Sequence, residues 1–272
     1  MDARCLCGGE RLTTIFVYDS PPTGEVRFRF SGRDGYHRTV HRCDSCGHFV
    51  SVHSMNDAGL YEGEYVDATY GGDGIREAFE RITALPPERS DNAGRARRIL
   101  AHAAEHLTEP ARQLRAPTVL DVGSGLCVFL HRMKAAGWEA MALDRDPRLV
   151  AHARAVVGVD AICGDLTSAG LGRYDVVTFN KVLEHIRDPV AVLAASREHL
   201  QSGGFVYVEV PDGEAAASEG PGREEFFIEH HHIFSIASVG LLAARANFLA
   251  RTIERLQEPS TKYTLRAFLV PR

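Results

Sequence analysis

The run Val119-Leu120-Asp121-Val122-Gly123-Ser124-Gly125 decides the fold. Its apolar residues predict a buried β-strand, and the Gly-x-Gly that follows predicts a tight turn that opens a helix. Glycines at such a turn let a ligand approach the main chain closely. Because many nucleotide-binding folds share this pattern, the run by itself predicts a ligand-binding α/β fold and no particular ligand.

Short apolar runs alternate with helical patterns from this strand to the end of the chain. We predict strands at Val119–Val122, Ala140–Leu143, Asp160–Cys163, Asp175–Phe179, Phe205–Val210, Leu249–Leu256 and Tyr263–Val270. We predict helices at Phe129–Ala136, Arg148–Val157 and Val190–Leu200, and another from Ser235 to Ala246. Apolar strands joined by helical crossovers indicate a parallel sheet that is covered on both faces. The predicted fold class is α/β, with a Rossmann-like, seven-stranded, mostly parallel sheet.

Three zones divide the chain, at residues 1–53, 54–117 and 118–272. The first zone holds four of the six cysteines and short alternating runs such as Val26–Phe30, which predict a small β-rich module. The second zone is predicted to be a helical linker or lid. The third zone is the predicted sheet domain.

The second zone contains one clear helical pattern, for which Asp91 or Asn92 is a suitable N-cap. Three tyrosines, Tyr61, Tyr65 and Tyr70, precede this helix in a glycine-containing segment. Two interpretations are open for these tyrosines. They either close over a bound ligand or pack between the flanking modules.

Composition excludes several classes of protein. The chain has 272 residues, is 44% hydrophobic and 25% charged, and carries a net charge of -5. This is ordinary globular composition without the basic excess of a nucleic-acid-binding protein. The first residues lack the layout of a secretory signal, and no apolar run approaches the roughly 20 residues of a membrane helix. We therefore expect a soluble cytoplasmic protein with no nucleic-acid or membrane partner, and its oligomeric state stays open.

Acidic residues follow three of the predicted strands. Asp121 lies at the end of the first strand, where a carboxylate repels a diphosphate and attracts a cationic ligand. Val128 occupies the position at which a dinucleotide fingerprint has a third small residue. Asp144, about 20 residues beyond the turn, is placed to accept both ribose hydroxyls, and Asp165 is placed to accept an adenine amino group. This pattern favours S-adenosylmethionine, which carries a sulfonium, an ammonium and no phosphate.

Residues 118–211 resemble class I S-adenosylmethionine-dependent methyltransferases. The resemblance is carried by Tyr174–Pro189, which is similar to the fourth-strand signature, and by Ser202–Phe205 and Glu209–Pro211 around the fifth strand. Cys127 stands where the family often has a third glycine. The resemblance implies that Asp121, Gly123 and Gly125 contact the methionine end of S-adenosylmethionine, with Asn180 near its amino group. It implies that Asp144 contacts the ribose and that Asp165 and Leu166 contact the adenine.

Four cysteines of the first zone have the composition of a metal site. Cys5-Leu6-Cys7 and Cys43-Asp44-Ser45-Cys46 predict four thiolates around one tetrahedral, structural zinc. The first pair is one residue shorter than the usual Cys-x-x-Cys spacing, so His41 or His48 is an alternative ligand. The other interpretation is four reduced cysteines without a metal.

A zinc module ahead of this domain resembles the sugar C-methyltransferases of natural-product pathways, as does Asn92-x-x-Arg95. Those enzymes have a Tyr-x-Glu-His segment, which Phe227-Ile228-Glu229-His230 matches except at Phe227. The resemblance implies His230 as the general base, Glu229 as the residue that orients it, and His185 as an assistant at the acceptor. One alternative is that His185 bonds a main-chain carbonyl or caps a helix. Another is that the three adjacent histidines 230 to 232 bind a metal. Of the adjacent histidines 230 to 232, we expect at least one to be exposed.

These observations favour a methyltransferase that acts on an oxygen or carbon of a small molecule, with a sugar or natural-product intermediate implied by the resemblance. A nicotinamide-dependent oxidoreductase on the same fold class is one alternative, and a non-catalytic cofactor-binding or interaction protein is another. A nucleic-acid or protein methyltransferase is disfavoured. Asn180-Lys181-Val182-Leu183 stands where those enzymes have an Asn/Asp-Pro-Pro-aromatic motif.

Overall fold

Two β-sheets and the helices that cover the larger one make up the fold. The computed structural model describes residues 5–26, 35–55, 74–108, 114–168 and 170–272. Strands β1 to β11 span Leu12–Tyr18, Arg38–Cys43, Phe49–His53, Thr118–Val122, Glu139–Asp144, Asp160–Cys163, Tyr174–Asn180, Leu200–Pro211, His232–Ile233, Phe248–Gln257 and Tyr263–Pro271. Helices α1 to α7 span Gly74–Thr83, Asp91–His106, Val128–Ala135, Pro147–His152, Pro189–Ala195, Gly213–Ala217 and Ile236–Arg245.

The larger sheet has seven strands in the order β10-β11-β8-β7-β4-β5-β6. Strand β11 runs antiparallel to both of its neighbours, whereas β4 to β8 pair in parallel. The predicted fold class is therefore confirmed. Most strand ends lie within two residues of the prediction, but β8 begins at Leu200 rather than at Phe205. A Cβ atom at Gly204 would lie 2.6 Å from the Asp175 carbonyl oxygen, so the absence of a side chain there permits close pairing of β7 and β8.

Alternate residues of each central strand enter the two opposite cores. Val119 of β4 packs with Ile99 of α2 and with helices α1, α3 and α4. Leu120, the next residue, packs with Leu193 of α5 and with α7 on the other face. This alternation is the period of two that a strand imposes on its side chains. None of the helices within the described ranges has the length and apolarity needed to cross a bilayer.

Helix α2 belongs to the core of the sheet domain and begins one residue earlier than predicted. Its N-cap is Ser90, whose hydroxyl accepts from the Ala93 amide at 3.3 Å, so the prediction of Asp91 or Asn92 as the cap is wrong. Serine at this position satisfies a main-chain donor of the first turn. The tyrosine segment that precedes these helices lies outside the described residues, as do residues 27–34 of the first zone.

The smaller sheet has the order β1-β2-β3-β9 and is antiparallel throughout. Its first three strands come from residues 1–53, as predicted for a small β-rich module. Strand β9 comes from the far end of the chain, where Ile233 pairs with Phe49 and His232 pairs with Val50. The division at residues 1–53, 54–117 and 118–272 stays a prediction, because hydrogen bonds join the first zone to the third.

Gly213 marks the close approach of the smaller sheet to helix α6. A Cβ atom there would lie 2.5 Å from the Phe49 ring and 3.0 Å from the Ile233 side chain. We expect Gly213→Ala to lower the free energy of unfolding by about 1–3 kcal/mol, because the aromatic ring must shift in a packed core. Urea denaturation of the full chain measures this change.

Gly94, in the first turn of α2, provides the matched control for this substitution. Nothing lies within 4 Å of a Cβ atom built there, so Gly94→Ala is expected to stabilise the chain by about 0.5–1 kcal/mol. Equal stability of the Gly213→Ala variant and the wild type would contradict the tight packing described here.

Candidate functional site

A cavity of about 900 Å³ opens at the carboxyl ends of the parallel strands. Its wall includes the segments that follow β4, β5, β6 and β7. Strand order reverses between β4 and β7, since the chain runs outward from β4 through β5 to β6 and then returns to the other side of β4. Ligands of open α/β sheets bind at such a switch point.

Asp121 lies at this switch point, at the end of β4. Its carboxylate is 2% exposed and accepts hydrogen bonds from the Thr178 hydroxyl and the Asn180 amide, both at 2.7 Å. Burial raises the pKa of Asp121 to about 7. The two predicted contacts Asp121 and Asn180 are therefore directly bonded to each other between the adjacent strands β4 and β7.

The glycine turn lies against this carboxylate. Gly123 has φ of +67°, and a Cβ atom there would lie 2.8 Å from the Val182 side chain. Gly125 also has a positive φ, and its amide donates to the Asp144 carboxylate at 2.9 Å. Cys127 has φ of +57°, in the left-handed region that favours glycine. This conformation explains why the family often has a glycine at the position of Cys127.

Asp144 is held by main-chain donors on both of its oxygens. Besides the Gly125 amide, the Asp146 amide donates to it at 3.0 Å. Burial raises the pKa of Asp144, and the two amides oppose that shift. The carboxylate is thus fixed in one orientation at the cavity wall.

Asp165 combines a turn role with a position on the cavity. Its carboxylate accepts from the Thr167 amide at 2.9 Å, and the hydrogen bonds from Thr167 lower its pKa. Its side chain is 46% exposed, with Arg145 at 3.3 Å. Asp165 and the buried Leu166 both line the cavity. All seven predicted cofactor contacts lie on this one wall, namely Asp121, Gly123, Gly125, Asp144, Asp165, Leu166 and Asn180.

Two of the predicted catalytic residues, His185 and His230, lie side by side with ring centroids 4.9 Å apart. Nδ1 of His185 donates to the Glu229 carbonyl at 2.9 Å, and Nδ1 of His230 donates to the Glu225 carbonyl at 2.8 Å. Because a carbonyl only accepts, each ring carries its proton on Nδ1 and its lone pair on Nε2. Burial lowers the pKa of both histidines, which favours the neutral rings.

The Glu225 carbonyl thus orients His230 and the Glu229 carbonyl orients His185, whereas the resemblance assigned the orientation of His230 to Glu229. Glu229 itself is buried, and burial raises the pKa of its carboxyl group. The structure brings all three predicted catalytic residues together, and His185 lines the cavity. The alternative in which His185 bonds a main-chain carbonyl is also realised.

The three adjacent histidines are all at least half-buried, so the expectation that one of them is exposed is wrong. His231 lines the cavity, and its amide donates to the Glu184 carbonyl at 2.8 Å. His232 enters β9 and lies 3.0 Å from His48 of the first zone. The smaller sheet covers the side of residues 230–232 that we expected to be exposed to solvent.

Sequence reasoning missed the buried ion pair between Arg95 and Glu209. The guanidinium of Arg95 donates to the two Glu209 oxygens at 2.6 and 2.8 Å, and also to Asn92 at 2.8 Å. Tyr207 donates to the same carboxylate at 3.0 Å. Asn92 and Arg95 line the cavity beside Lys181. The Asn92-x-x-Arg95 spacing was the signal, but its partner lies 114 residues further along the chain.

The four predicted zinc ligands converge. Sγ of Cys5 lies 3.4 Å from Sγ of Cys46, and Sγ of Cys7 lies 3.5 Å from Sγ of Cys43. All four sulfur atoms lie within 4.8 Å of one another. Zinc–sulfur bonds of about 2.3 Å place tetrahedral ligands about 3.8 Å apart, so the cluster has the dimensions of a closed zinc site.

The two alternative histidine ligands are bonded elsewhere. His41 contacts the hydroxyls of Thr14 and Thr39, and His48 contacts Ser238 and His232. The donor set that the structure offers is therefore four thiolates. The short Cys5-Leu6-Cys7 spacing still lets both of its sulfur atoms join the cluster.

Comparison with known proteins gives a consistent result. The family model described as a methyltransferase domain matches residues 75–252. A ubiquinone biosynthesis O-methyltransferase of Xanthomonas oryzae pv. oryzae (strain PXO99A) is 30% identical over 145 residues, which are 50% of this chain and 52% of that protein. This chain thus spans about half the length of the curated relatives it matches.

Solved structures share the fold at low sequence identity. A glycopeptide N-methyltransferase, MtfA, is 20% identical with a TM-score of 0.51, over 67% of this chain and 91% of that chain. The 1,6-didemethyltoxoflavin-N1-methyltransferase of Burkholderia thailandensis, solved with 1,6-didemethyltoxoflavin and S-adenosylhomocysteine, is 17% identical with a TM-score of 0.54. That match covers 90% of this chain and 98% of the other.

The Arg95–Glu209 pair yields a stability prediction. Arg95→Met removes the cation that donates to both oxygens of the buried Glu209 carboxylate, so we expect the free energy of unfolding to fall by about 3–5 kcal/mol. The double variant Arg95→Met with Glu209→Gln removes the unpaired charge and is expected to lose less. Urea denaturation of the single and double variants measures both changes, and a loss below about 1 kcal/mol in the single variant would contradict the pairing.

Proposed function

Since this chain belongs to the methyltransferase domain family, we propose that it transfers a methyl group from S-adenosylmethionine to an oxygen or carbon atom of a small molecule. The observation that carries the proposal is the gathering of three strand-end carboxylates and the glycine turn on one cavity at the switch point. The nearby pair, His185 and His230, supplies groups that can contact the acceptor and accept its proton. A sugar or another natural-product intermediate is the acceptor class that we propose.

In this proposal the donor lies along the ends of β4, β5 and β6. Asp121 and Asn180 hold the ammonium of the methionine end beside Gly123 and Gly125. Asp144 accepts from the ribose hydroxyls, and Asp165 with Leu166 holds the adenine. A nicotinamide dinucleotide fits this cavity less well, because its diphosphate would meet the buried Asp121 carboxylate next to the turn.

The acceptor then lies between the sulfonium methyl group and the two histidines. The acceptor atom attacks the methyl carbon as the carbon–sulfur bond breaks, which leaves S-adenosylhomocysteine. Nε2 of His230 accepts the acceptor's proton, while the Glu225 carbonyl keeps the ring in the required tautomer. His185, oriented by the Glu229 carbonyl, contacts the acceptor or assists the proton transfer.

The carboxylate assigned to the ribose provides the first test. We expect Asp144→Ala to weaken S-adenosylmethionine binding at least about tenfold, since two hydrogen bonds to a charged group are lost. Asp160→Ala, which changes an exposed carboxylate away from the cavity, is the control and should bind like the wild type. Calorimetry measures both, and unchanged affinity of the Asp144→Ala variant would refute the ribose assignment.

The histidine pair provides the second test. His230→Gln is expected to keep donor affinity within about twofold and to slow methyl transfer by about 10²–10⁴, the usual contribution of a general base. Transfer of a labelled methyl group to a panel of hydroxylated and keto sugars and phenols measures the rate. His37→Gln, an exposed histidine of the first zone, serves as the control. Donor binding without transfer to any acceptor would instead favour a non-catalytic cofactor-binding protein.

We also infer that Cys5, Cys7, Cys43 and Cys46 bind a structural zinc ion, because two pairs of sulfur atoms lie 3.4 and 3.5 Å apart and all four lie within 4.8 Å of one another. A closed site with four protein ligands leaves no position for substrate, so its role is to fix the fold of the smaller sheet.

Metal analysis tests this inference. The purified chain is expected to hold one zinc per molecule, and Cys43→Ser is expected to lose it and to unfold at a lower temperature. Cys163→Ser, at an exposed cysteine of the sheet domain, should keep the zinc. A wild-type chain that is folded and free of zinc after purification in zinc-containing medium would contradict this site.

A further inference from the structure

Glu184 is a buried carboxyl group to which the proposed reaction assigns no role. It lies in a short 3₁₀ turn, Leu183–His185, and is 0% exposed. Within the described part of the chain, neither of its carboxylate oxygens has a hydrogen-bond partner. Burial raises its pKa to about 7, although Lys181 is close enough to oppose the shift. Burying a carboxyl group without hydrogen-bond donors costs free energy, so we expect a partner that compensates for this cost.

The two histidines of the acceptor site lie next to this carboxyl group. Glu184, His185 and His230 each place one ligand atom within 4.8 Å of the other two. The Glu229 and Glu225 carbonyls fix both rings with the lone pair on Nε2, the form in which imidazole binds a metal. Bonds of about 2.0–2.2 Å place tetrahedral ligands roughly 3.4 Å apart, which modest side-chain rotations can reach from this arrangement.

We propose that Glu184, His185 and His230 form a second metal site, which binds one divalent cation of the Zn²⁺, Co²⁺ or Ni²⁺ class. Two imidazoles and one carboxylate are the donor set that such ions prefer, whereas magnesium and calcium prefer oxygen ligands alone. Three protein ligands leave at least one coordination position open, unlike the closed set of four cysteines. His185 lines the cavity, so this site lies where small solutes have access.

Cation binding at this site has a consequence that rests on the proposed function. The cation takes the Nε2 lone pair with which His230 would accept the acceptor's proton. The cation-bound protein therefore lacks its base, and methyl transfer is suppressed without a change in donor binding, because the seven proposed donor contacts include none of the three ligands.

Nickel binding tests the site without reference to activity. Wild-type protein that already holds its zinc is dialysed against NiCl₂, and the bound nickel is measured by metal analysis. We expect one equivalent in the wild type and an affinity at least about tenfold lower in Glu184→Gln and in His230→Gln. Glu229→Gln, at a neighbouring buried acid outside the three ligands, should bind nickel like the wild type. Thermal unfolding checks that each variant is folded.

Equal nickel binding by the wild type and both ligand variants, or none by the wild type, would overturn the site.

Calorimetry with S-adenosylmethionine, with and without nickel, separates this inference from the proposed function. Nickel binding in a protein with no affinity for the donor refutes the proposed function and leaves the site intact. Once an acceptor has been identified, we expect nickel to slow methyl transfer in the wild type at least about tenfold more than in Glu184→Gln. An equal rate with and without nickel would contradict the suppression.

Discussion

The structure depends on the reversal of strand order between β4 and β7. The connections after β4 and β7 leave toward opposite faces of the sheet, so a crevice forms at the carboxyl ends of these strands, and the side chains there face it. Asp121 and Asn180 bond to each other across the reversal at 2.7 Å. A carboxylate that is 2% exposed is costly to retain with only neutral donors on it. The ammonium of the proposed donor would offset this cost.

The smaller sheet and the segment between its first two strands contact residues 224–231, here called the histidine loop. Arg38 and Glu25 form a fully buried ion pair at 3.0 Å, and both bond to the main chain of the histidine loop. Arg38 donates to the Phe226 carbonyl at 2.5 Å, and the Ile228 amide donates to Glu25 at 2.7 Å. Together with the pairing of β3 with β9, these bonds hold the loop that carries His230. The proposed zinc site would fix the sheet from which these bonds originate.

Local pattern was sufficient to predict the large sheet and the proposed donor site. The period of apolar residues located β4 to β7 to within a residue or so, and the acids at their ends followed from the rule that parallel strands present their carboxyl ends together. The features that we did not predict depend on contacts between residues that are far apart in the sequence. Strand β9 has two residues and exists only because β3 lies beside it, and Arg95 finds Glu209 across 114 residues. His232 lies in that strand and is buried there, and no local pattern signals this pairing.

The central claim is that the carboxyl ends of β4, β5 and β6 bind a cationic adenosyl methyl donor. A crystal structure of the full chain with S-adenosylhomocysteine tests it most directly. The account predicts the amino group within hydrogen-bond distance of Asp121, both ribose hydroxyls on Asp144, and the adenine beside Leu166. A cavity that stays empty at saturating ligand, or a ligand bound away from these strand ends, would contradict it.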